Sequence, residues 1–484
     1  MTQTAARATV GERFFASAGV QRALEAIAAS VREHGAEITD VRPPRSELKE
    51  SYDSLMTRAG EARGRALLYP YIGSGLGNGA LVELADGSVK WDMICGIGVH
   101  FFGHSDPELI QHAVLGSITD TVMHGNLQTG FEPYEFSEAL LEEAAKGSNL
   151  KHCFVAPSGA LVNENALKLA YQKSGGAPRV IAFKDCFMGR TVTMSQLGDS
   201  AANRIGIPLS TLVDYMPFYD EGAAAQGGMA RQIDAACQQL LSFIERYPKQ
   251  HACFIFELVQ GEGGFNTAPR EFFVELMKIC RQHGIAVWDD EIQTFGRTTS
   301  MFLYDAMQLG EYVDLATVGK MTQACATLFT EAYNPGPGLL SATFTSSGAA
   351  CRVGTYVINQ LRQGDFYGED GRIARHHRAF REQARAMIAR HPEWFPKVEP
   401  GVLSPAPAEL VGGAGGMMRF TPFGGRKDKI NRALKTCFEE GVILFSCGHG
   451  PYHVRLLPPL GVMKLEDWAR VFACMERGLA KAAV

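Results

Sequence analysis

Two strand-like runs in this chain each end in a group able to do chemistry. IAVWDDEIQTFGRT carries Asp289 and Asp290 at the close of its apolar stretch, and DLATVGK, ending thirty residues after Asp290, finishes on Lys320. A lysine closing an apolar run loses hydration, so its ammonium is solvated at the strand end, paired, or used. The use open to such an amine is a Schiff base with a carbonyl compound. The two aspartates have a plain alternative as well, because Asp before a loop or helix often caps it. At the same sheet edge as the lysine, however, one of them can keep a pyridine nitrogen protonated. At about 3 Å and an effective dielectric near 20, that contact carries roughly 5 kcal/mol of Coulomb attraction before desolvation. An amine for an imine and an acid for a ring nitrogen are the two groups that a lysine-bound pyridoxal phosphate needs.

These groups need a scaffold, and the chain between about Gly96 and Thr345 supplies the pattern of one. HCFVAP, RVIAFK, HACFIFELV, IAVWDD and DLATVGK are apolar runs separated by amphipathic stretches. That alternation predicts an α/β fold with a mostly parallel sheet covered on both faces, and chemistry in such a sheet collects at the carboxyl ends of its strands. PSGALVNENALKLA predicts a helix from about Leu161, with Ser158, Gly159 and Ala160 at its positive end. Backbone N–H groups there suit a phosphate, and the same Ser-Gly is equally a routine helix start. In PREFFVELMKICRQHG, Pro269 suits a first helical turn and Gly284 a stop.

Around this centre, residues 1 to about 65 read as a polar, helix-rich arm lying on the surface or on a partner subunit. Its amphipathic repeat runs from Val20 to His34. YIGSGLGNG then leads into ALVELADGSVKWDM, two alternating runs split by Asp86-Gly87, which predicts a hairpin. After Phe344 come helices over about 351–361 and 370–389, then GGMMRFTP, a helix over about 428–440, VILFSC, HVRLLPPL and a last helix from Leu465. These predict a smaller α+β domain. The expected division is 1–95 as arm and contribution to the small domain, 96–345 as the large domain, and 346–484 as the small one.

Composition narrows the classes. At 484 residues with 46% apolar and 20% charged content, the chain has the profile of an ordinary globular protein. A net charge of −5 offers no basic patch for nucleic acid or anionic lipid, so neither is expected as a partner. Eleven cysteines without a CxxC pair read as buried thiols of a reducing compartment, and thirteen histidines form no HExxH, so no metal is expected. With no apolar run of membrane-spanning length and no apolar leader, the expected location is the cytoplasm. Nucleotide motifs fail: GxxxxGK[ST] would need glycine at Asp314 and a hydroxyl at Met321, and the third glycine of a dinucleotide fingerprint starting at Gly73-Ser74-Gly75 falls on Asn78.

The motif order Ser-Gly at a helix start, CFMGRT, ELVQGEGG, DDEIQTFGRT, VGK and SATFTSS resembles that of class III (ω-amino) aminotransferases, PLP enzymes of fold type I. The resemblance runs from about Tyr71 to the C-terminus and includes WDMICGIGVHFFGHSDPEL. GALVNENALK and GKMTQACA are similar to lysine 6-aminotransferases. The resemblance implies that Lys320 forms the imine with PLP, Asp290 holds the pyridine nitrogen, Ile292 and Phe187 pack on the two ring faces, and Gln293 reaches the ring hydroxyl. Ser158, Gly159 and Ala160 would bind the phosphate, and Thr343 would reach it from the neighbouring subunit, which implies a homodimer with sites completed across its interface. Ala160 and Leu161 stand where the family has a polar pair, Met188 where it often has histidine or tryptophan, and ELVQ where it often begins Glu-Pro. DEIQTFGRT is one residue shorter than the usual loop.

For substrates, the resemblance makes Arg190 the arginine that fixes the carboxylate remote from the reacting amine. Arg455 would take the α-carboxylate of glutamate or 2-oxoglutarate, with Glu262 neutralising it when the other substrate is bound. Read alone, either arginine is equally a surface or structural ion pair. The implied activity moves a terminal amino group from a lysine-, ornithine-, acetylornithine- or 4-aminobutyrate-like donor to a keto acid. Rival readings are a same-fold aminomutase or decarboxylase, a non-catalytic scaffold relative, and a nucleotide-binding α/β enzyme.

Overall fold

The computed structural model describes residues 8–401 and 404–484. Seven strands form its central sheet: β1 (Leu150–Ala156), β2 (Arg179–Phe183), β3 (Leu212–Met216), β4 (His251–Phe256), β5 (Ala286–Asp290), β6 (Leu315–Val318) and β7 (Cys325–Thr330). Their spatial order is β1-β7-β6-β5-β4-β2-β3. β5 runs parallel to β4 and β6, and β2 parallel to β3 and β4. Only β7 is antiparallel to both of its neighbours. Every residue of β4, β5 and β6 is buried, which is what their unbroken apolar runs require of strands covered on both faces.

The helix after β1 spans Gly159–Lys173, and Ser158 caps it by accepting the Leu161 N–H at 3.3 Å. It therefore starts two residues earlier than the apolar pattern suggested, because the cap fixes the first turn. Helix Arg270–Gln282 buries Phe272, Phe273, Leu276, Met277 and Cys280 on one face and ends before Gly284, whose φ of +67° suits glycine. Pro269 stands at its N-cap instead of inside its first turn.

Two four-stranded sheets flank this body. In one, the Gly-rich Gly73–Asn78 is itself a strand paired with Leu81–Leu84, and the hairpin turning at Asp86-Gly87 leads into Val89–Asp92. Val442–Ile443, from the far end of the chain, lies parallel to that last strand. The other sheet is antiparallel and joins Val411–Ala414, Met417–Phe420, His453–Leu456 and Phe445–Cys447. The N-terminal helix Ala18–Gly35 buries Leu24 and Ala28, and the Gln111 side chain donates to the Leu24 carbonyl at 3.2 Å. All eleven cysteines are free, and all but Cys153 and Cys237 are buried. Among the described residues, no helix is long and apolar enough to cross a membrane.

Candidate active site

The carboxyl ends of the parallel strands open onto a cavity of about 390 Å³. After β1 come Ser158, Gly159, Ala160 and Asn163, at the start of the capped helix. After β2 come Phe187, Met188, Gly189 and Arg190; after β4, Glu257 and Glu262. The end of β5 contributes Asp290, Ile292 and Gln293, and the turn after β6 contributes Lys320. Gly189 is required where it stands: its φ is +128°, and a Cβ there would lie 2.7 Å from the Ala160 Cβ. The loop after β2 is thus pressed onto the first turn of the helix.

Lys320 opens a single tight turn, Lys320–Thr322, at φ +52°, a region that residues with a Cβ seldom adopt. Loss of hydration lowers its pKa from the ordinary lysine value, and the carboxylates of Asp290, Glu262 and Glu257 oppose that shift. Asp290 is fully enclosed. Its Oδ2 accepts from Asn163 Nδ2 at 2.8 Å and its Oδ1 from the Ile292 N–H at 3.0 Å, while the same Asn163 amide also donates to the Met188 carbonyl at 2.9 Å. Burial raises the Asp290 pKa; the two hydrogen bonds and Lys320 act against burial. Glu257 accepts from the N–H groups of Phe187 and Gly261 at 3.1 and 2.9 Å, and burial followed by the charge of Asp290 pushes it to about 8.

Arg455 lies on the strand His453–Leu456 and is fully buried. Its Nη2 donates to Glu262 Oε1 at 2.7 Å, and Nη1 to the Gly261 carbonyl at 3.4 Å. Its guanidinium stands 5.1 Å from the Phe445 ring centre. Arg190 is exposed, with its guanidinium 5.5 Å from the Phe187 ring centre. Thr343 is exposed and lies outside the cavity of its own chain; the carbonyl of Ala342 beside it accepts from the Asn126 N–H at 3.1 Å. Buried polar atoms without a hydrogen-bond partner among the described residues include Asn163 Oδ1 and Gln293 Oε1, both on cavity-lining side chains.

Of the residues singled out in the sequence, eleven meet in or beside this cavity and Thr343 does not. Two were passed over. Asn163 stands one helical turn beyond Gly159 and so faces the same way, a spacing visible in GALVNENALK. Glu257 opens ELVQGEGG directly after β4, where the carboxyl-end rule already pointed.

A sequence profile of the family described as aminotransferase class-III matches residues 72–478. The 5-aminovalerate aminotransferase of Pseudomonas putida is 28% identical over 462 residues, 90% of this chain and 98% of that protein. A mitochondrial acetylornithine aminotransferase of Eremothecium gossypii is 28% identical over 294 residues, 57% of this chain and 65% of that protein. The structure of a lysine aminotransferase from M. tuberculosis superposes with a TM-score of 0.73 at 20% identity, covering 88% of this chain and 99% of that one.

Proposed function

The chain belongs to the class III aminotransferases, PLP-dependent transferases of fold type I, and from that membership we propose that it moves a terminal amino group from an ω-amino acid or amine to a keto acid, 2-oxoglutarate being the favoured acceptor. One observation carries the reading: Lys320 and Asp290 converge on a single cavity that also receives a capped helix start and the acid partner of a buried arginine. The residues present fit PLP. The helix start offers its amides to the phosphate, Asp290 accepts only from neutral donors among the described residues and so retains capacity for a ring N–H, and Gln293 Oε1 has no partner among those residues. PLP supplies an electron sink for charge developing on the substrate carbon.

The chain's residues would divide the remaining work. Lys320, with its pKa lowered, takes the proton from the substrate carbon and returns it. Asp290 keeps the ring nitrogen protonated, and Asn163 fixes the plane of that carboxylate. Ile292 and Phe187 would pack on the two ring faces, while Ser158, Gly159 and Ala160 would hold the phosphate. Arg190, exposed at the mouth, meets the remote carboxylate of the donor, and Arg455 meets the carboxylate of the acceptor once Glu262 leaves it.

Thr343 and Phe344 are both exposed, as are Leu127 and Phe131, and this supports a homodimer in which Thr343 serves the neighbouring phosphate. A two-domain division is supported by Val442–Ile443 pairing with Val89–Asp92, so that the segment up to residue 95 and the segment from 346 share one sheet. Eleven free cysteines favour a reducing compartment, the cytoplasm. A panel of lysine, ornithine, acetylornithine, 4-aminobutyrate, 5-aminovalerate and simple amines with 2-oxoglutarate tests the activity. Glutamate release with at least one ω-amino donor is expected; its absence with all of them, alongside turnover without net transfer, would mean a mutase or decarboxylase.

A further inference from the structure

Beside the cavity, one acidic side chain of the loop after β2 is held by the C-terminal part of the chain. Asp185 stands two residues before Phe187 and five before Arg190, buried and at φ +61°. Its Oδ1 lies 2.9 Å from His449 Nδ1, and its Oδ2 accepts from the Ser404 hydroxyl. His449 belongs to the loop between Phe445–Cys447 and His453–Leu456, the strand that carries Arg455. The preceding residue, Gly448, donates its N–H to the backbone carbonyl of Glu262 at 2.8 Å. One short loop therefore holds Asp185 through a side chain and Glu262 through its backbone, and leads into Arg455.

The His449 ring is partly exposed, and its Nε2 has no hydrogen-bond partner among the described residues. The charges of three acids act on it, Asp185, Glu262 and Asp199, with Glu262 paired to Arg455 and Asp199 to Arg204. Glu262 is held by Arg455 as the structure stands, so a substrate carboxylate arriving at Arg455 has to displace it. The Glu262 side chain is only about a quarter exposed, so once displaced from Arg455 it is solvated incompletely and a cationic partner favours the displaced position.

We propose that His449 is a positioning residue for the acceptor half of the reaction: Asp185 fixes its Nδ1, and its free Nε2 receives the Glu262 carboxylate when a substrate carboxylate takes Arg455. This rests on the reading of Arg455 given above. Asp185 orients the imidazole, because the hydrogen bond made by one ring nitrogen sets the tautomer and direction of the other. The hydrogen bond that His449 Nδ1 donates to Asp185, and then the charges of Asp185, Glu262 and Asp199, hold the His449 pKa above the ordinary histidine value, which favours the cation.

The test measures glutarate, an unreactive dicarboxylate, binding to the PLP-loaded enzyme by calorimetry across pH. In the parent, affinity should fall as pH rises through a point above the ordinary histidine value of about 6.5, because only the imidazolium can take Glu262. His449→Gln should weaken glutarate by about tenfold at the acidic end and flatten the profile. Asp185→Asn keeps a hydrogen-bond acceptor and tolerates the left-handed backbone, so it should fold and move the fall to lower pH. In steady state, His449→Gln should raise KM for 2-oxoglutarate about tenfold more than KM for a simple amine, a split that general loosening would not produce. Retained binding and pH profile in His449→Gln, with binding lost in Arg455→Ala, overturns the role of His449 alone. Unchanged glutarate binding in Arg455→Ala overturns the reading of Arg455, and this proposal falls with it.

Discussion

Asp289 and Asp290 are consecutive, both buried, and at the same end of β5, yet they sit in opposite electrostatic worlds. Alternation along the strand turns Asp290 to the cavity and Asp289 to the other face of the sheet, between Phe256 on β4 and Ala316 on β6. Asp290 has the Asn163 amide, the Ile292 N–H and the charge of Lys320. Neither oxygen of Asp289 accepts a hydrogen bond from a donor among the described residues; its neighbours are the carboxylates of Glu291, to which the protonated acid can donate, Asp290 and Glu257. Burial first, then those like charges, drives the Asp289 pKa well above the carboxylate range. Glu291, on the same face, accepts from the N–H groups of Leu303 and Tyr304 at 2.6 and 3.0 Å and from Thr294, and is pushed up to about 7, chiefly by burial. Desolvation penalises both aspartates alike. Donors and a cation oppose that penalty at Asp290 and favour its anion, while like charges add to it at Asp289 and favour the neutral acid.

The largest effect on the cavity side comes from taking away its amine. Lys320→Ala should lower kcat/KM by at least about 10⁴-fold, since no other lysine among the described residues lines the cavity to form and exchange an imine. The purified parent should be yellow and bleach with borohydride; a Lys320→Ala protein whose absorption bleaches in the same way would place the linkage elsewhere. Next comes Asp290→Asn, which keeps shape but not charge. A fall of about 10³-fold in kcat/KM is expected, because the ring nitrogen loses its proton and with it the electron sink. An effect of less than about threefold would mean that Asp290 serves no ring nitrogen.

Arg190→Ala acts at the rim of the same cavity, where water screens the charge, and should cost less. About 10- to 100-fold in kcat/KM is expected with ω-amino donors bearing a carboxylate, and no more than a few fold with simple amines. Equal losses with both donor types would remove its role in reading the carboxylate.

Lys320 and Asp290 were legible because an ionisable group at the end of an apolar run is costly, and few arrangements tolerate it. β4 and β5 were legible for the same reason as any doubly covered strand. Harder to read were β3 and β7. LVDYM lies at the sheet edge, where Asp214 interrupts the apolar run to pair with Arg179 and His251, and CATLFT follows Lys320 so closely that its residues read as part of GKMTQACA. The Gly73–Asn78 strand has almost no side chains to signal one; its pairing with Leu81–Leu84 holds it. Asn163 carried a helical spacing but no charge, so nothing distinguished it from a solvated polar residue until Asp290 was found within 2.8 Å. Asp289 carried the opposite ambiguity: sequence showed two adjacent acids and left open which one faced the site.

The smallest effect on activity, and a separate one on stability, belongs to Asp289. Its folded pKa lies above its unfolded value of about 3.9, so the folded state retains a proton that the unfolded chain gives up. Stability from this group is therefore full below about pH 4 and declines as pH rises towards the folded pKa, at about 1.4 kcal/mol per pH unit for each proton so retained. Asp289→Asn has no proton to give up. Activity should stay within about threefold of the parent, because the side chain faces away from the cavity. In urea unfolding at about pH 5 and pH 8, the variant should gain stability relative to the parent as pH rises, whatever the amide's own burial costs at the acidic end. A difference that is the same at both pH values would show Asp289 ionised in the folded protein, and the contrast between the two faces of β5 would then need a hidden cation on the Asp289 side.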